Sequence, residues 1–343
     1  MDTLPPIGYD RPLRTSVRIP KGGPSVANHP FEGIRWAWMN GRLVEFEKAT
    51  VPVMTHALHY GTGVFEGIRC YQTQQGSAVF RLAEHMERLV HSAKICRMEL
   101  PFSAAELVAA VDETIRANEL VACYIRPIAF RGFGPMGVNP LKSPVDVAIG
   151  VWRWGTYLGE EALEKGVDVC VSSWRRPSQD SVPAISKATG NYMNAGLIKM
   201  EAVLGGFHEA IALDTAGYVS EGSGENLFLV RDGVLYTPPV ASSILAGITR
   251  DTVIKLAADL GVEVCEETIP RSLLYVCDEL FFTGTAAEIT PIRSVDRITV
   301  GPGRPGEITR RLMAEFRRIV HGEVPDRHGW LHPVAVEAAA SVA

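Results

Sequence analysis

The sequence predicts an α+β protein of two domains, and three observations carry that prediction. The chain has 343 residues, more than the roughly 250–300 at which a single hydrophobic core stops growing. Its apolar fraction, 46%, is that of a globular protein and too high for a disordered one. Its texture also changes near the middle, from glycine-punctuated hairpins to strands alternating with helices. The predicted divisions are a Pro/Gly-rich arm over 1–30, a small domain over 31–153, a link over 154–164 and a larger domain over 165–343.

Composition narrows the function. Lys+Arg is 34 against Asp+Glu 39, a net charge of −5, which argues against a general binder of nucleic acid or anionic membrane. Any anion must be held by a few placed groups. The arm has no continuous apolar core, so it does not read as a secretory signal, and no stretch reaches the ~18 apolar residues of a membrane helix. The six cysteines are scattered without a C-x-x-C pair, which predicts reduced thiols, a cytoplasmic protein and no zinc site. His56 and His59 lack a third ligand nearby and predict packing or hydrogen bonding instead of metal.

Taken in order, IRWAWMNGRLVEFEKATVPV predicts a hairpin turning on Asn40-Gly41. HALHYGTGVFEGIRCYQ predicts glycine-broken strands. EHMERLVHSAKICRM predicts a helix with Met86, Leu89, Val90 and Ala93 on one face. Ser103 and Glu106 form a capping box that opens a helix to about Asn118. ACYIRPIAF and DVAIGVW predict strands around the loop RGFGPMGVNPLKSP. In the second half, VDVCVSSW, EAIALD, ENLFLV, GVEVCEE and DELFFTG predict strands, with helices near Asn191–Leu204, Arg250–Leu260 and Gly306–Val320.

Among the lysines, Lys187 stands apart. It lies in SQDSVPAISKATGNYMNAG, before a predicted helix, amid small apolar residues. Poor solvation there disfavours an ammonium, so the residue reads either as a nucleophilic amine able to add to an aldehyde or as half of a structural ion pair. GIT before a helix, Gly247 to Thr249, reads either as an ordinary helix start or as an anion site. Alone, EGSGE around Glu221 and Glu225 is a turn with solvated acids, and Arg88 falls off its helix's apolar face toward solvent.

SKATGNY, LAGITR, EGSGEN, FFTGTAAEITP, YGTGVFEGIR and YIRP all lie between about Trp36 and about Phe316. Together they resemble the branched-chain amino acid aminotransferases, pyridoxal 5'-phosphate enzymes. The resemblance implies the D-amino acid aminotransferase-like fold (fold type IV), a small α/β domain plus a larger pseudo-barrel α+β domain. It implies that Lys187 carries the cofactor covalently and is catalytic, and that Glu221 meets its ring nitrogen. Tyr192 would meet its phenolic oxygen, and Arg88, Ile248, Thr249 and Thr285 its phosphate, with Gly224 and Leu245 completing the cofactor site. For substrate it implies Thr285 and Ala286 near the α-carboxylate, helped by the Tyr124 neighbourhood. Tyr60, Phe65, Gly67 and Arg69 would wall the side-chain pocket, Trp154 and Tyr157 would extend it, and Arg126 would meet a glutamate carboxylate. Gly67 would let substrate approach the backbone.

The same resemblance implies transamination of L-leucine, L-isoleucine and L-valine with 2-oxoglutarate in two half-reactions. Met136 and Val138 would lie on a loop reaching a neighbouring subunit, hence a homodimer at least, with a hexamer left open. The competing reading is a same-fold transaminase for D-amino acids or (R)-amines, or an aminodeoxychorismate lyase. Two departures stand out: Ala246 where many relatives have proline, and Arg131 as an added cation near the substrate loop.

Overall fold

The computed structural model describes residues 31–155 and 160–334. Among these, eight strands form a first sheet in the order Leu331–Pro333, Gly76–Phe80, Ile68–Thr73, Cys123–Arg131, Val145–Trp152, Trp36–Met39 and Arg42–Glu45, with Gly63–Phe65 also on Cys123–Arg131. Its pairings are antiparallel. Nine more form a second, mixed sheet: Val219–Gly222, Glu209–Leu213, Val167–Arg175, Glu288–Val295, Glu279–Gly284, Asn226–Arg231, Val234–Thr237 and Val264–Glu266, with Ile298–Thr299 beside Glu288–Val295. Val167–Arg175 runs parallel to both its neighbours.

Helices Leu82–Ile95 and Ala104–Ala117 cover the first sheet, burying Met86, Leu89, Ala93, Leu107, Val111 and Ile115. The second of them starts on the expected capping box: the Ser103 hydroxyl accepts from the Glu106 amide, and the Glu106 carboxylate accepts from the Ser103 amide at 2.8 Å. Helices Ile248–Asp259 and Glu307–Val320 pack on the second sheet through Val253, Leu256, Leu312 and Phe316. No helix among the described residues is long and apolar enough to cross a membrane.

Three local readings are corrected. HALHY is not strand but a short helix, His56–Tyr60, closed by Gly61 at φ +63, a conformation open to glycine at little cost. EGSGE is not a solvated turn: strands Val219–Gly222 and Asn226–Arg231 enclose it and bury both acids. Strands Val234–Thr237, Glu288–Val295 and Leu331–Pro333 had no counterpart in the sequence reading, and the last crosses back to the first sheet by pairing with Gly76–Phe80. His56 and His59 are hydrogen-bonded, His56 to Thr62 and the Gly137 carbonyl at 2.8 Å each, and His59 to the Val53 carbonyl at 2.9 Å.

Two arginines of the first half join the sheets. Arg69 pairs with Glu288 at 2.6 Å, where the Tyr71 hydroxyl also donates at 3.0 Å. Arg81, buried, donates through Nη1 to the Ile248 carbonyl, Asp251 and Thr252 at 3.1, 2.6 and 3.0 Å, and so fixes the first turn of Ile248–Asp259. Replacing it removes the charge-assisted bond to Asp251 and the two to Ile248 and Thr252, although the Thr252 hydroxyl still donates to the Ile248 carbonyl at 2.9 Å. Arg81→Met should therefore cost about 1–3 kcal/mol in denaturant unfolding, whereas Lys48→Ala, which removes an exposed pair with Glu45, should cost less than about 1 kcal/mol. Equal midpoints for Arg81→Met and the unaltered chain would contradict this role.

Candidate functional site

One cleft, with ≈ 570 Å³ of empty space partly open to solvent, lies where the segment after Val167–Arg175 meets the first sheet. Arg88, Lys187, Tyr192, Glu221, Gly224, Leu245, Ile248, Thr249 and Thr285 all line it, so every residue expected around a cofactor is brought together. Lys187 is tied to the first half of the chain through its main chain. Its amide donates to Ser92 Oγ at 3.1 Å and its carbonyl accepts from the Phe65 amide at 3.0 Å. Its side chain is half-buried, with Nζ donating to Tyr192 Oη at 2.7 Å and lying 5.1 Å from the Phe65 ring centre. No ion pair holds this ammonium among the described residues; a phenol and an aromatic face do.

On the cleft wall the helix Ile248–Asp259 begins. Its N-cap, Gly247, offers no side-chain cap, which leaves first-turn amides and the positive end of the helix dipole for an anion. Gly247 must be glycine, because a Cβ there would lie 2.0 Å from Asn226 Oδ1. Arg88 does not point into solvent as its helical position suggested. It donates to the Ala246 carbonyl at 3.0 Å and clasps Glu66 through Nε and Nη2 at 2.7 and 2.8 Å. Glu66 also meets His85 Nδ1 at 2.7 Å. Burial pushes the Glu66 carboxyl up, but Arg88 and His85 outweigh it and hold the group well below the usual carboxylate range. Glu66 stands between the expected Phe65 and Gly67 but is not itself expected from the sequence. Its only local signal was an acid inside an otherwise apolar strand pattern, and its partners stand about twenty residues further along the chain.

Also on the cleft wall, Glu221 accepts from Arg176, from the Leu245 amide at 3.0 Å and from Asn226 Nδ2 at 3.1 Å. Burial raises its carboxyl above the ordinary value against the pull of Arg176 and the amide. Arg176 is a second residue the sequence reading did not single out. Glu225 was expected to support the loop and does accept from the Gly224 amide at 3.0 Å, yet no cation among the described residues forms an ion pair with it. Burial, reinforced by repulsion from Glu209, pushes it up to about 8.

Nine of the residues expected around substrate divide into three groups. Phe65, Tyr124, Arg126 and Trp154 form an aromatic wall next to Lys187. Phe65 meets Tyr192 edge-on at 4.6 Å, Tyr124 meets Trp154 at 4.9 Å, and the Arg126 guanidinium sits 4.8 Å over Phe65 and 5.5 Å over Tyr124. Arg126 Nε is buried without a hydrogen-bond partner among the described residues. Thr285 lines the cleft, and Ala286 beside it packs on the core between the first sheet and its helices. Tyr60, Met136 and Val138 instead lie exposed, with Val138 86% accessible, and neither they nor the four wall residues line the cleft itself. Tyr157 lies outside the described residues.

Several expected roles change. Gly67 is required by Tyr124, whose hydroxyl lies 2.0 Å from where a Cβ would stand, so the glycine makes room for a side chain of this protein. Arg69 is committed to Glu288. Arg131 is buried and donates to the Ser143 and Arg97 carbonyls at 3.1 and 2.5 Å, which makes it a loop brace. The Ala246 turn is held by Arg88.

Glu225 gives a pH test. A carboxyl whose folded value exceeds its unfolded one keeps a proton that the unfolded chain has released, so its contribution to stability falls as pH rises between 4.5 and about 8. Glu225→Gln removes that loss. The thermal midpoint of the variant should gain on the unaltered chain steadily across this window and stay parallel to it below; a constant difference from pH 4.5 to 8 would contradict the assignment.

Comparison with known proteins gives the family. The model of the amino-transferase class IV family matches residues 63–295. A branched-chain-amino-acid aminotransferase of Salmonella typhimurium is 53% identical over 300 residues, 87% of this chain and 97% of its own. The crystal structure of the Escherichia coli branched-chain amino acid aminotransferase superposes with a TM-score of 0.87 at 53% identity, covering 88% of this chain and all of that one. The branched-chain amino acid aminotransferase of Thermobaculum terrenum, solved in its PLP-bound holo-form, gives 0.83 at 37% identity, covering 88% of this chain and 99% of its own. The chain belongs to the class IV aminotransferases, among the branched-chain amino acid aminotransferases.

Proposed function

We propose that the protein moves the amino group of L-leucine, L-isoleucine or L-valine to 2-oxoglutarate, giving branched-chain 2-oxo acids and L-glutamate, with pyridoxal 5'-phosphate as cofactor. The observation that carries the reading is the Lys187–Tyr192 pair at 2.7 Å, in one cleft with an uncapped helix N-terminus and a buried carboxylate and in contact with the Phe65 ring of the aromatic wall.

The residues fit the cofactor. A phosphate suits the first-turn amides of Ile248 and Thr249 with Arg88. A protonated ring nitrogen suits Glu221, whose carboxyl is buried with one cation, Arg176, on it. A phenolic oxygen suits Tyr192, and an aldehyde carbon suits Lys187 Nζ. Two orphaned polar atoms, Thr283 Oγ1 and Arg176 Nε, are buried without partners among the described residues, and both residues line the cleft, as expected where a polar ligand belongs.

When bound, the cofactor supplies an electron sink for charge developing at the substrate α-carbon. The chain supplies the rest. Lys187 Nζ, once free as an amine, is placed to take the α-proton and to return it in the reverse direction. Tyr192 Oη, in hydrogen-bond contact with Nζ, orients it. Phe65, Tyr124 and Trp154 offer a branched apolar side chain a dry face, while Arg126, held over Phe65 and Tyr124 with Nε unpaired among the described residues, offers a cation to a glutamate carboxylate. One pocket thereby serves both substrates of the exchange. The exposed apolar surface of Val53, Leu58, Phe133, Met136, Val138 and Leu141 supports a second copy of the chain against this face. Six free thiols support a reducing, cytoplasmic setting.

The purified protein should carry a visible absorbance from bound cofactor, and L-leucine should bleach it until 2-oxoglutarate restores it. Lys187→Ala should lose at least ~10³-fold in turnover, as removal of a catalytic base and nucleophile does. Full activity in that variant, or a spectrum that answers to D-amino acids or (R)-amines and not to L-leucine, would defeat the reading.

A further inference from the structure

Glu66 follows the strand Gly63–Phe65, and its carboxylate is fully buried. Both its oxygens are spent on the helix Leu82–Ile95. Oε1 accepts from Arg88 Nε at 2.7 Å, and Oε2 accepts from Arg88 Nη2 at 2.8 Å and lies 2.7 Å from His85 Nδ1. His85 is itself buried, and desolvation pushes its imidazole toward the neutral form, so Nδ1 donates to the carboxylate. The three residues close a triad whose main-chain anchor is the Glu66 amide, donating to the Pro127 carbonyl at 2.9 Å.

The donors of Arg88 can be accounted for one by one. A guanidinium has five N–H groups. Glu66 takes the one on Nε and one on Nη2, and the Ala246 carbonyl takes one on Nη1 at 3.0 Å. One N–H remains on each Nη nitrogen, and Arg88 lines the cleft with Ile248 and Thr249. We infer that Glu66 is a positioning residue for the cofactor phosphate: it locks Arg88 on one edge so that the remaining Nη donors meet the phosphate oxygens beside the amides of Ile248 and Thr249.

This inference rests on the pyridoxal 5'-phosphate reading and adds to it a residue that does not touch the cofactor. It also has an unusual sign. By charge alone, a carboxylate behind the arginine weakens the attraction for a dianion, and the more so in a low-dielectric interior. If only charge mattered, removing Glu66 would tighten phosphate binding. If orientation matters, removing it frees a flexible side chain to lose its aim, and phosphate binding weakens.

The test uses the full chain loaded with pyridoxal 5'-phosphate or with pyridoxal, which lacks the phosphate, and follows loss of the bound-cofactor absorbance on dilution. Glu66→Gln should hold pyridoxal 5'-phosphate about tenfold or more less tightly, the scale of a lost charge-assisted hydrogen bond, with pyridoxal changed less than about twofold. Glu66→Asp, which keeps the charge and shortens the reach, should show the same phosphate-selective loss and covers the case in which the glutamine variant fails to fold. Adding Arg88→Lys to Glu66→Gln should cost little beyond Arg88→Lys alone, since the glutamate acts through that arginine.

Tighter or unchanged binding of the phosphorylated cofactor by the variants overturns the inference, as does an equal loss of both cofactors, which a purely structural role would give. Those results leave the cofactor reading standing. An unaltered chain that takes up neither cofactor overturns both.

Discussion

Four glutamates are buried in and behind one cleft, and an ion in a protein interior must be balanced where it sits, because desolvating it costs more than distant charges return. Each is answered differently. Glu66 is closed by Arg88 and His85, Glu209 by Lys199 at 2.7 Å, and Glu221 by Arg176. Glu225 has no ion-pair partner among the described residues and keeps its proton toward about pH 8. These pairings cross between elements, and so they fix the helix Leu82–Ile95 against the segment after Gly63–Phe65 and the strand Val219–Gly222 against the end of Val167–Arg175. The positions of Arg88 and Glu221 on the cleft wall, one on the Ala246 carbonyl and the other on the Leu245 amide, follow from satisfying those charges.

The same constraint explains why the cleft lies between the sheets. Lys187 is carried by an irregular segment, and irregular backbone needs partners for its amides and carbonyls. It finds them in the first half of the chain, in the Phe65 amide and in Ser92 Oγ. The amine is thus held from one side, while Arg81 grips the first turn of Ile248–Asp259 at the anion end. A shift of one sheet against the other would move the amine and the phosphate donors apart. The Arg69–Glu288 pair resists the same shift at a third point. The aromatic wall of Phe65, Tyr124 and Trp154 comes from the first half alone, which lets the side-chain pocket vary without disturbing the cofactor donors.

Much of the fold was legible because it is local. The Ser103–Glu106 box and the Met86, Leu89, Ala93 stripe need only their own helices, and both helices form where periodicity put them. The cofactor residues were legible for another reason: six motifs together resembled one family, whereas Lys187 read alone stayed open to a structural ion pair. What escaped depends on contacts far along the chain. Glu66 was passed over because its partners stand on the next helix. Gly67 was credited to substrate because nothing local reveals that the Tyr124 hydroxyl fills its space. Glu221 and Glu225 look solvated because the groups that enclose them stand far along the chain: Arg176 and the Leu245 amide close on Glu221, and the strand after Glu225 pairs with Glu279–Gly284. Burial of a polar residue is a tertiary property, and a single sequence carries only weak signs of it.

The most direct measurement is a crystal structure of the full chain grown with pyridoxal 5'-phosphate. The account predicts density continuous with Lys187 Nζ, the phosphate on the amides of Ile248 and Thr249 within reach of the Nη donors of Arg88, and the ring nitrogen on Glu221. A cofactor joined to another lysine, or a phosphate seated away from that helix with Arg88 still closed on Glu66 alone, would contradict it.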